Sequence, residues 1–270
     1  MTAALRLSRP STPAVAGALG AFALMAGAQA LIPFVDDTRA LTTVVVAAFF
    51  AATAALAGAV WSWPRVAAAA GAVVVGTFAL EWLGSTTGWP FGVYHYTEAL
   101  RPQAAGVPLV VPLAWLAMAL PAREVAARLV GPGWLRVVLA AAALTAWDVM
   151  LDPQMVAEGF WVWEADGFWR GIPLSNYAGW LVSSAAVMVV LDRLLPGPGR
   201  SRGLLALYTW WALSEVIAFV VFFGDPLVGV VGALAMLPLA ALAWRAELDP
   251  AGGDGDPASA RRPGLGPRPG

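Results

Sequence analysis

The residues whose side chains are best suited to catalysis are acids that lie inside apolar segments. Asp148 and Asp152 are four residues apart, so on a helix their side chains share one face. Two carboxyl groups in a low-dielectric setting cannot both ionise cheaply, and at least one should hold a proton near neutral pH. Glu81 and Glu215 are further acids of this kind, without an arginine or lysine at the same depth. An ionisable group inside a membrane span is by default a functional-site hypothesis.

These residue types suit acid catalysis at carbon. The chain has no cysteine and one histidine, which excludes thiolate nucleophiles and multi-histidine metal sites. Acids that carry a proton can protonate a carbon–carbon double bond, and nearby aromatic rings stabilise the resulting cation. Capture by water gives an alcohol, attack by an internal double bond gives a ring, and loss of a proton moves the double bond. The sequence predicts this chemistry, with no cofactor and no metal ion, and leaves the three outcomes open.

The composition is that of an integral membrane protein. The 270 residues are 60% hydrophobic and 12% charged, whereas soluble domains carry about 25% charged residues. A membrane-spanning helix takes about 20 apolar residues. The sequence therefore predicts an all-α, polytopic bundle of seven to eight transmembrane helices. The candidate spans are Ala14–Phe34, Leu41–Ser62, Val66–Leu83, Val107–Leu120, Leu135–Leu151, Ile172–Leu191, Gly203–Phe223 and Pro226–Trp244. The fourth is the weakest, because it is short and contains Pro108 and Pro112.

The arginines predict the orientation of these spans. All 16 basic residues are arginines and the net charge is −1, so nucleic acid is not an expected partner. With the N-terminus inside and eight crossings, thirteen arginines fall inside and only Arg39, Arg101 and Arg170 fall outside. We therefore predict a multi-pass protein of the cell membrane with both termini in the cytoplasm. We expect residues 1–248 to form a single transmembrane domain and residues 249–270 to form a disordered cytoplasmic tail.

This topology places several polar residues near the outer leaflet. Glu81, Asp148 and Asp152 end their spans, and Asn176 starts the next one. Glu215 lies about 12 Å deeper, by the rise of a helix. The remaining acids at span ends are predicted to be solvated: Asp36, Asp37, Asp192 and Asp225.

Aromatic residues accompany these acids. The segment "WVWEADGFW" flanks an Asp166-Gly167 pair, a frequent hairpin turn signal, and predicts a short aromatic hairpin-like outer loop. On span seven, side chains recur at three- or four-residue steps along one face: Tyr208, Trp211, Glu215, Phe219 and Phe222. This face is either a packed helix interface or a wall for a long, flat, apolar molecule. Aromatic residues at membrane surfaces also serve as anchoring belts.

Three motifs, in this order, resemble a known family. They are "EWLGSTTGWPFGVYHYTEALRP", "WDVMLDPQMVAEGFWVWE" and "GIPLSNYAGW". They resemble motifs of the CruF-type membrane carotenoid biosynthesis family, which includes carotenoid hydratases and bisanhydrobacterioruberin hydratases. The resemblance covers Glu81 to Trp180. It implies addition of water across the terminal isoprene double bond of an acyclic carotenoid, giving a tertiary alcohol without a redox cofactor. The implied partners are the carotenoid, the lipid bilayer and, as candidates, other carotenoid biosynthesis enzymes.

The resemblance also implies a set of residues that line the site. These are Glu81, Tyr94, His95, Tyr96, Asp148, Asp152, Trp161, Trp163, Asn176 and Trp180. We predict that Asp148 or Asp152 protonates the alkene, and that Glu81 or the other aspartate activates water. The aromatic residues predicted to shield the cation are Trp89, Phe91, Trp147 and Trp161. Trp211 and Glu215 are predicted to contact the substrate.

Other classes of protein compete with this interpretation. A carotenoid cyclase or isomerase would use the same acid and the same cation. A membrane prenyltransferase would use the D-x-x-x-D of Asp148 and Asp152 to hold magnesium and diphosphate, but a second acidic motif is missing. A transporter would account for the membrane acids, and a non-catalytic pigment-binding protein would account for the aromatic residues.

Overall fold

The computed structural model describes residues 12–197 and 199–248, and the predicted tail at 249–270 lies outside them. Within these residues the chain forms eight helices that are long and apolar enough to cross a membrane. They are α1 (Thr12–Leu31), α2 (Arg39–Gly58), α3 (Trp63–Thr87), α4 (Val110–Leu129), α5 (Trp134–Ala157), α6 (Leu174–Leu194), α7 (Arg202–Ile217) and α8 (Pro226–Leu248). The predicted polytopic helix bundle is confirmed.

The fourth helix lies at the centre of the bundle. It packs against α2, α3, α5, α7 and α8. It has the lowest mean hydropathy of the eight, 1.4, and the largest buried share, 72%. Protein rather than lipid surrounds it, so its sequence needs less apolar character. The predicted end at Leu120 is wrong: α4 continues to Leu129. Its last two turns carry Arg123, Glu124 and Arg128, which are paired inside the protein.

The ends of α4, α6 and α8 meet the starts of α5 and α7 at what we call the arginine end of the bundle. There, Asp192 on α6 binds Arg123 Nε at 2.7 Å and Arg136 Nη2 at 2.8 Å. The prediction that Asp192 is a solvated helix end is therefore wrong. Asp192 is only partly exposed, because it bridges two buried guanidinium groups, which need a compensating charge.

A second pair at the arginine end links α4 to α8. Glu124 Oε1 accepts hydrogen bonds from Arg128 Nε at 2.7 Å and from the backbone N–H of Ser201 at 3.0 Å. Arg128 also contacts Glu247, which binds Arg202 Nε at 2.7 Å. Every buried acid of this network has an arginine partner.

The opposite end is the acidic end, where α3 and α5 finish and α4 and α6 begin. Four short strands cover it: β1 (Tyr94–Tyr96), β2 (Gln103–Ala104), β3 (Val107–Pro108) and β4 (Trp161–Trp163). β1 pairs with β4 and β2 pairs with β3, both antiparallel.

The aromatic loop at the acidic end is built differently from the predicted hairpin. The partner of β4 is β1, not the residues after Asp166-Gly167, where Gly167 makes a separate bridge to Gly171. The pairing of β1 with β4 places aromatic rings across from each other, with ring centroids 5.0 Å apart for Tyr94 and Trp163. Such cross-strand aromatic pairs stabilise a ribbon, and a sequence-local turn signal does not reveal them.

Candidate active site

An aromatic cavity of about 570 Å³ lies between the helices at the acidic end. This volume falls within the range of small-molecule binding sites, about 300–1,000 Å³. The helices α1 to α7 all contribute to its wall. Exposed side chains near the end of α1 and on α7 belong to its wall: Phe34 is 72% exposed and Ile217 is 54% exposed.

Glu81 is held in the cavity wall by three hydrogen-bond donors. Its Oε2 accepts from the phenols of Tyr94 at 2.6 Å and Tyr96 at 2.7 Å, and its Oε1 accepts from Trp115 Nε1 at 2.7 Å. Burial, followed by the charge of Glu81, raises the pKa of Tyr94 and of Tyr96 above the usual tyrosine value. Both phenols therefore keep the protons that they donate. The carboxyl group of Glu81 is fixed in one orientation.

Asp148 and Asp152 form a buried carboxyl pair bridged by one amide. Asn176 Nδ2 donates to Asp148 Oδ2 and to Asp152 Oδ2, each at 2.7 Å. Asp152 Oδ1 accepts from Trp161 Nε1 at 2.5 Å and from Trp163 Nε1 at 3.3 Å. Both acids are 1% exposed, and Asp148 Oδ1 has no partner among the described residues. Asp152 lies in the cavity wall, and Asp148 lies one helical turn away from it.

No arginine of the described chain pairs with Glu81, Asp148 or Asp152. The three arginines at this end pair elsewhere: Arg39 with Asp37, Arg101 with Glu98 and Arg170 with Asp225. Within the described ranges, no group of three or more His, Cys, Asp and Glu side chains is placed to hold a metal ion. The pair of Asp148 and Asp152, which a prenyltransferase would use to hold magnesium, therefore has no third metal ligand beside it among these residues.

Indole rings form a continuous wall from Glu81 to α7. Trp115 stacks on Trp180, with centroids 4.0 Å apart and planes 12° from parallel. Trp180 meets Trp147 edge-on at 6.3 Å, and Trp147 meets Trp211 at 5.6 Å. The faces of such rings attract a cation within about 6 Å of the ring centroid.

The structure brings most of the predicted site residues to one cavity. Its wall includes Glu81, Phe91, Tyr94, Tyr96, Trp147, Asp152, Trp161, Trp163, Asn176, Trp180, Trp211 and Glu215. Asp148 joins this set through Asn176.

Two predicted residues do not reach the cavity. His95 is exposed because β1 alternates, so its side chain points away from the face that carries Tyr94 and Tyr96. Trp89 is 65% exposed, because the loop after α3 turns Phe91 inward in its place.

Sequence reasoning missed three residues that position the site. Trp115 binds Glu81, and the signal available was an indole N–H in a predicted span, which needs a partner. Gly84 and Gly179 give the room for the loop after α3. A Cβ at Gly84 would lie 2.8 Å from Phe91 Cδ2 and 2.9 Å from Tyr94 Oη, and one at Gly179 would lie 2.8 Å from Phe91 Cδ1. Both glycines stand within the quoted motifs "EWLGS" and "NYAGW".

Residues 39–243 match the family described as carotenoid biosynthesis protein. The chain therefore belongs to this family, and the predicted resemblance is confirmed. One relative is the bisanhydrobacterioruberin hydratase of Haloarcula japonica, which is 30% identical over 217 residues, covering 76% of this chain and 71% of the relative. No solved structure gives a significant match.

Proposed function

We propose that this protein is a carotenoid hydratase, which adds water across the terminal isoprene double bond of an acyclic carotenoid. The observation that carries the proposal is the buried pair of Asp148 and Asp152, bridged by Asn176 in an aromatic cavity without an arginine partner. The family match and the name of the Haloarcula relative support the class of reaction and substrate.

Asp152 is the proton donor in this proposal. It lies in the cavity wall, whereas Asp148 contacts it through Asn176 and acts as a positioning residue. Two buried carboxyl groups that share one amide nitrogen cannot both ionise cheaply, so the pair holds a proton. Asp152 transfers this proton to the less substituted carbon of the double bond, and the positive charge develops on the tertiary carbon.

The cation is then stabilised and captured. Glu81, which accepts three hydrogen bonds, presents negative charge to it, and the faces of Trp115 and Trp180 shield it. Water attacks the tertiary carbon and forms the new carbon–oxygen bond. The proton that the attacking water loses returns to the pair of Asp148 and Asp152. The net change is the addition of one water molecule, with no oxidation or reduction.

The shape of the cavity suits the end of a long molecule. An acyclic carotenoid is comparable in length to the hydrocarbon core of a bilayer, about 30 Å. In this proposal the cavity holds one end group, which enters from the lipid phase on the side where Phe34 and Ile217 of the cavity wall are exposed. The arginine distribution supports an orientation with the acidic end at the outer leaflet and both termini in the cytoplasm.

The decisive experiment is expression in a host that accumulates acyclic carotenoids, followed by mass spectrometry of the extracted pigments. A parallel culture in heavy-oxygen water reports the origin of any new oxygen. We expect a mass gain of one or two water molecules, with the label in the product. Asp152→Asn should leave the pigments unchanged, and Asp37→Asn is the matched control, since Asp37 is an exposed acid at the same end.

The same experiment separates the competing functions. Pigments of unchanged mass with a shifted absorption spectrum would favour a cyclase or an isomerase. Unchanged pigments with every acyclic substrate would favour a transporter or a pigment-binding protein.

A further inference from the structure

The cavity contains a second polar region that the proposed protonation does not use. Trp147 Nε1, Trp211 Nε1 and Glu215 Oε2 are buried and have no hydrogen-bond partner among the described residues. All three side chains lie in the cavity wall. Glu215 is 5% exposed and forms no ion pair within the described ranges.

These three groups are neighbours. Trp211 and Glu215 are four residues apart on α7, so they share one face of that helix. The ring of Trp147 contacts that of Trp211, with centroids 5.6 Å apart. Just beyond Glu215 the helix widens into a π-helical segment at Ala218–Phe222. Single-turn π segments in helices are frequent at functional sites.

The hydrogen-bonding capacity of these groups selects a ligand. Buried polar side chains are nearly always paired, so three without a partner on one cavity wall point to a bound polar group. Two indole N–H groups can only donate, and the carboxyl group of Glu215 can accept through an oxygen that carries no proton. A hydroxyl oxygen accepts two hydrogen bonds and donates one, which matches this set. A purely apolar end group would leave all three unpaired, and an anion without a proton could not donate to the carboxyl oxygen.

We propose that Trp147, Trp211 and Glu215 form a second subsite, which binds a hydroxyl oxygen while the double bond lies at Asp152. The oxygen belongs either to the water that adds or to an alcohol group already on the carotenoid. The identity of the cavity's ligand as a carotenoid rests on the proposed function. The recognition of a hydroxyl oxygen rests only on the three unpartnered groups.

A binding experiment tests the subsite without catalysis. The full-length protein in detergent is titrated with a saturated tertiary terpenoid alcohol and with the matching saturated hydrocarbon, neither of which can be hydrated. We expect the alcohol to bind about threefold to tenfold more tightly, the range for one net hydrogen bond. Trp211→Phe removes one donor and Glu215→Leu removes the acceptor, so both should lose this preference. Equal affinity of the wild-type protein for both probes would overturn the inference.

Two further variants keep the binding result interpretable. Trp244→Phe removes an indole N–H that binds Thr209 Oγ1 outside the cavity, and Glu98→Gln removes an exposed acid. Both should retain the preference for the alcohol. If all variants lose both the preference for the alcohol and their thermal unfolding transition, the variants are unfolded. The test then depends on the wild-type protein: a preference for the alcohol supports the subsite, and equal affinity for both probes overturns it.

Kinetics then distinguish the two sources of the oxygen. If the subsite binds a substrate alcohol, Trp211→Phe raises KM about threefold to tenfold for carotenoids that carry the alcohol and not for plain hydrocarbons. If it binds the attacking water, both substrates lose kcat, and the fraction of isomerised alkene rises because the cation loses a proton instead. Wild-type protein that binds the alcohol preferentially but hydrates neither substrate would refute the proposed function and leave the subsite standing.

Discussion

The two ends of the helix bundle give their acids opposite kinds of partner. The acids compared are Glu81, Asp148 and Asp152 at the acidic end, and Glu124, Asp192 and Glu247 at the arginine end. At the arginine end every one of these carboxyl groups binds at least one guanidinium group. At the acidic end the partners are instead tyrosine, tryptophan and asparagine side chains.

This difference separates structural acids from chemical ones. A carboxylate paired with arginine stays ionised and gives no proton, so it can hold helices together but cannot act as an acid. A carboxyl group that is buried with neutral donors can exchange a proton with a bound molecule. Among the described residues the acids in the cavity wall are Glu81, Asp152 and Glu215, none of which pairs with an arginine, so we expect the reaction at the acidic end.

The largest expected effect follows from removing the acid at the cavity wall. Asp152→Asn should lower hydration by at least about a hundredfold, the lower range for general acid catalysis. The same protein should be present in the membrane in normal amount, because no ion pair is broken. The measurement is the hydration rate per amount of purified protein. A variant with more than half of the wild-type rate would remove Asp152 from the mechanism, and Asp225→Asn serves as the control.

The corresponding change at the arginine end should affect stability instead of chemistry. Glu124→Gln leaves Arg128 with less compensation in a buried setting. Breaking a buried pair in this way costs about 3–5 kcal/mol of stability. We expect a lower midpoint of thermal unfolding in detergent and an unchanged rate per folded molecule. A variant that keeps its stability but loses activity would contradict the division of roles between the ends.

A smaller effect is expected from the donors around Glu81. Tyr94→Phe removes one hydrogen bond to a carboxyl group that keeps two others, from Tyr96 and Trp115. Hydrogen bonds to charged groups contribute about 1.5–3 kcal/mol, so the rate should fall about tenfold to a hundredfold at an unchanged KM. Glu81→Gln should have a larger effect than Tyr94→Phe. A Tyr94→Phe variant with the wild-type rate would contradict this role, because phenylalanine keeps the packing of the ring and loses only the hydroxyl.

The smallest effect concerns pH. The pKa values of Tyr94 and Tyr96 are raised by burial and by Glu81, so neither phenol ionises near neutral pH and activity there should not depend on them. Unfolding returns both to about 10, so their contribution to stability is present below that pH and is lost as the pH rises above it. Thermal unfolding between about pH 9 and pH 11 should show this loss, and a Tyr94→Phe/Tyr96→Phe variant should show less of it. An equal loss in both proteins would refute this assignment.

The sequence predicted the features of the two ends that depend on local sequence patterns. The length of apolar segments defined all eight spans, and the spacing of Asp148 and Asp152 placed both on one face. The quoted motifs contain the acids Glu81 and Asp152 of the cavity wall and the aromatic residues of β1 and β4 around them. These features need only helical geometry and the cost of burying charge in lipid.

The rest depends on contacts between distant segments. From the sequence, Arg123 was placed in a loop after the fourth span. Its partner Asp192 lies 69 residues further along the chain, so a local pattern could not indicate their pairing. The pairing of β1 with β4 decided that Tyr94 and Tyr96 point inward and His95 outward. The exposure of Trp89 likewise follows from the packing of Phe91, which no periodicity could indicate.

The paired charges of α4 also constrain the order in which the protein is assembled. An arginine inside a membrane span is costly unless other groups pair with it. α4 is made before Asp192 and Glu247, which neutralise Arg123 and Arg128. We therefore expect α4 to insert stably in the bilayer only after the later helices, which carry these partners, have been made. A chain that stops before α8 would leave Arg128 without Glu247. We expect α4 to be poorly inserted in such a chain, and the chain to be degraded by proteases.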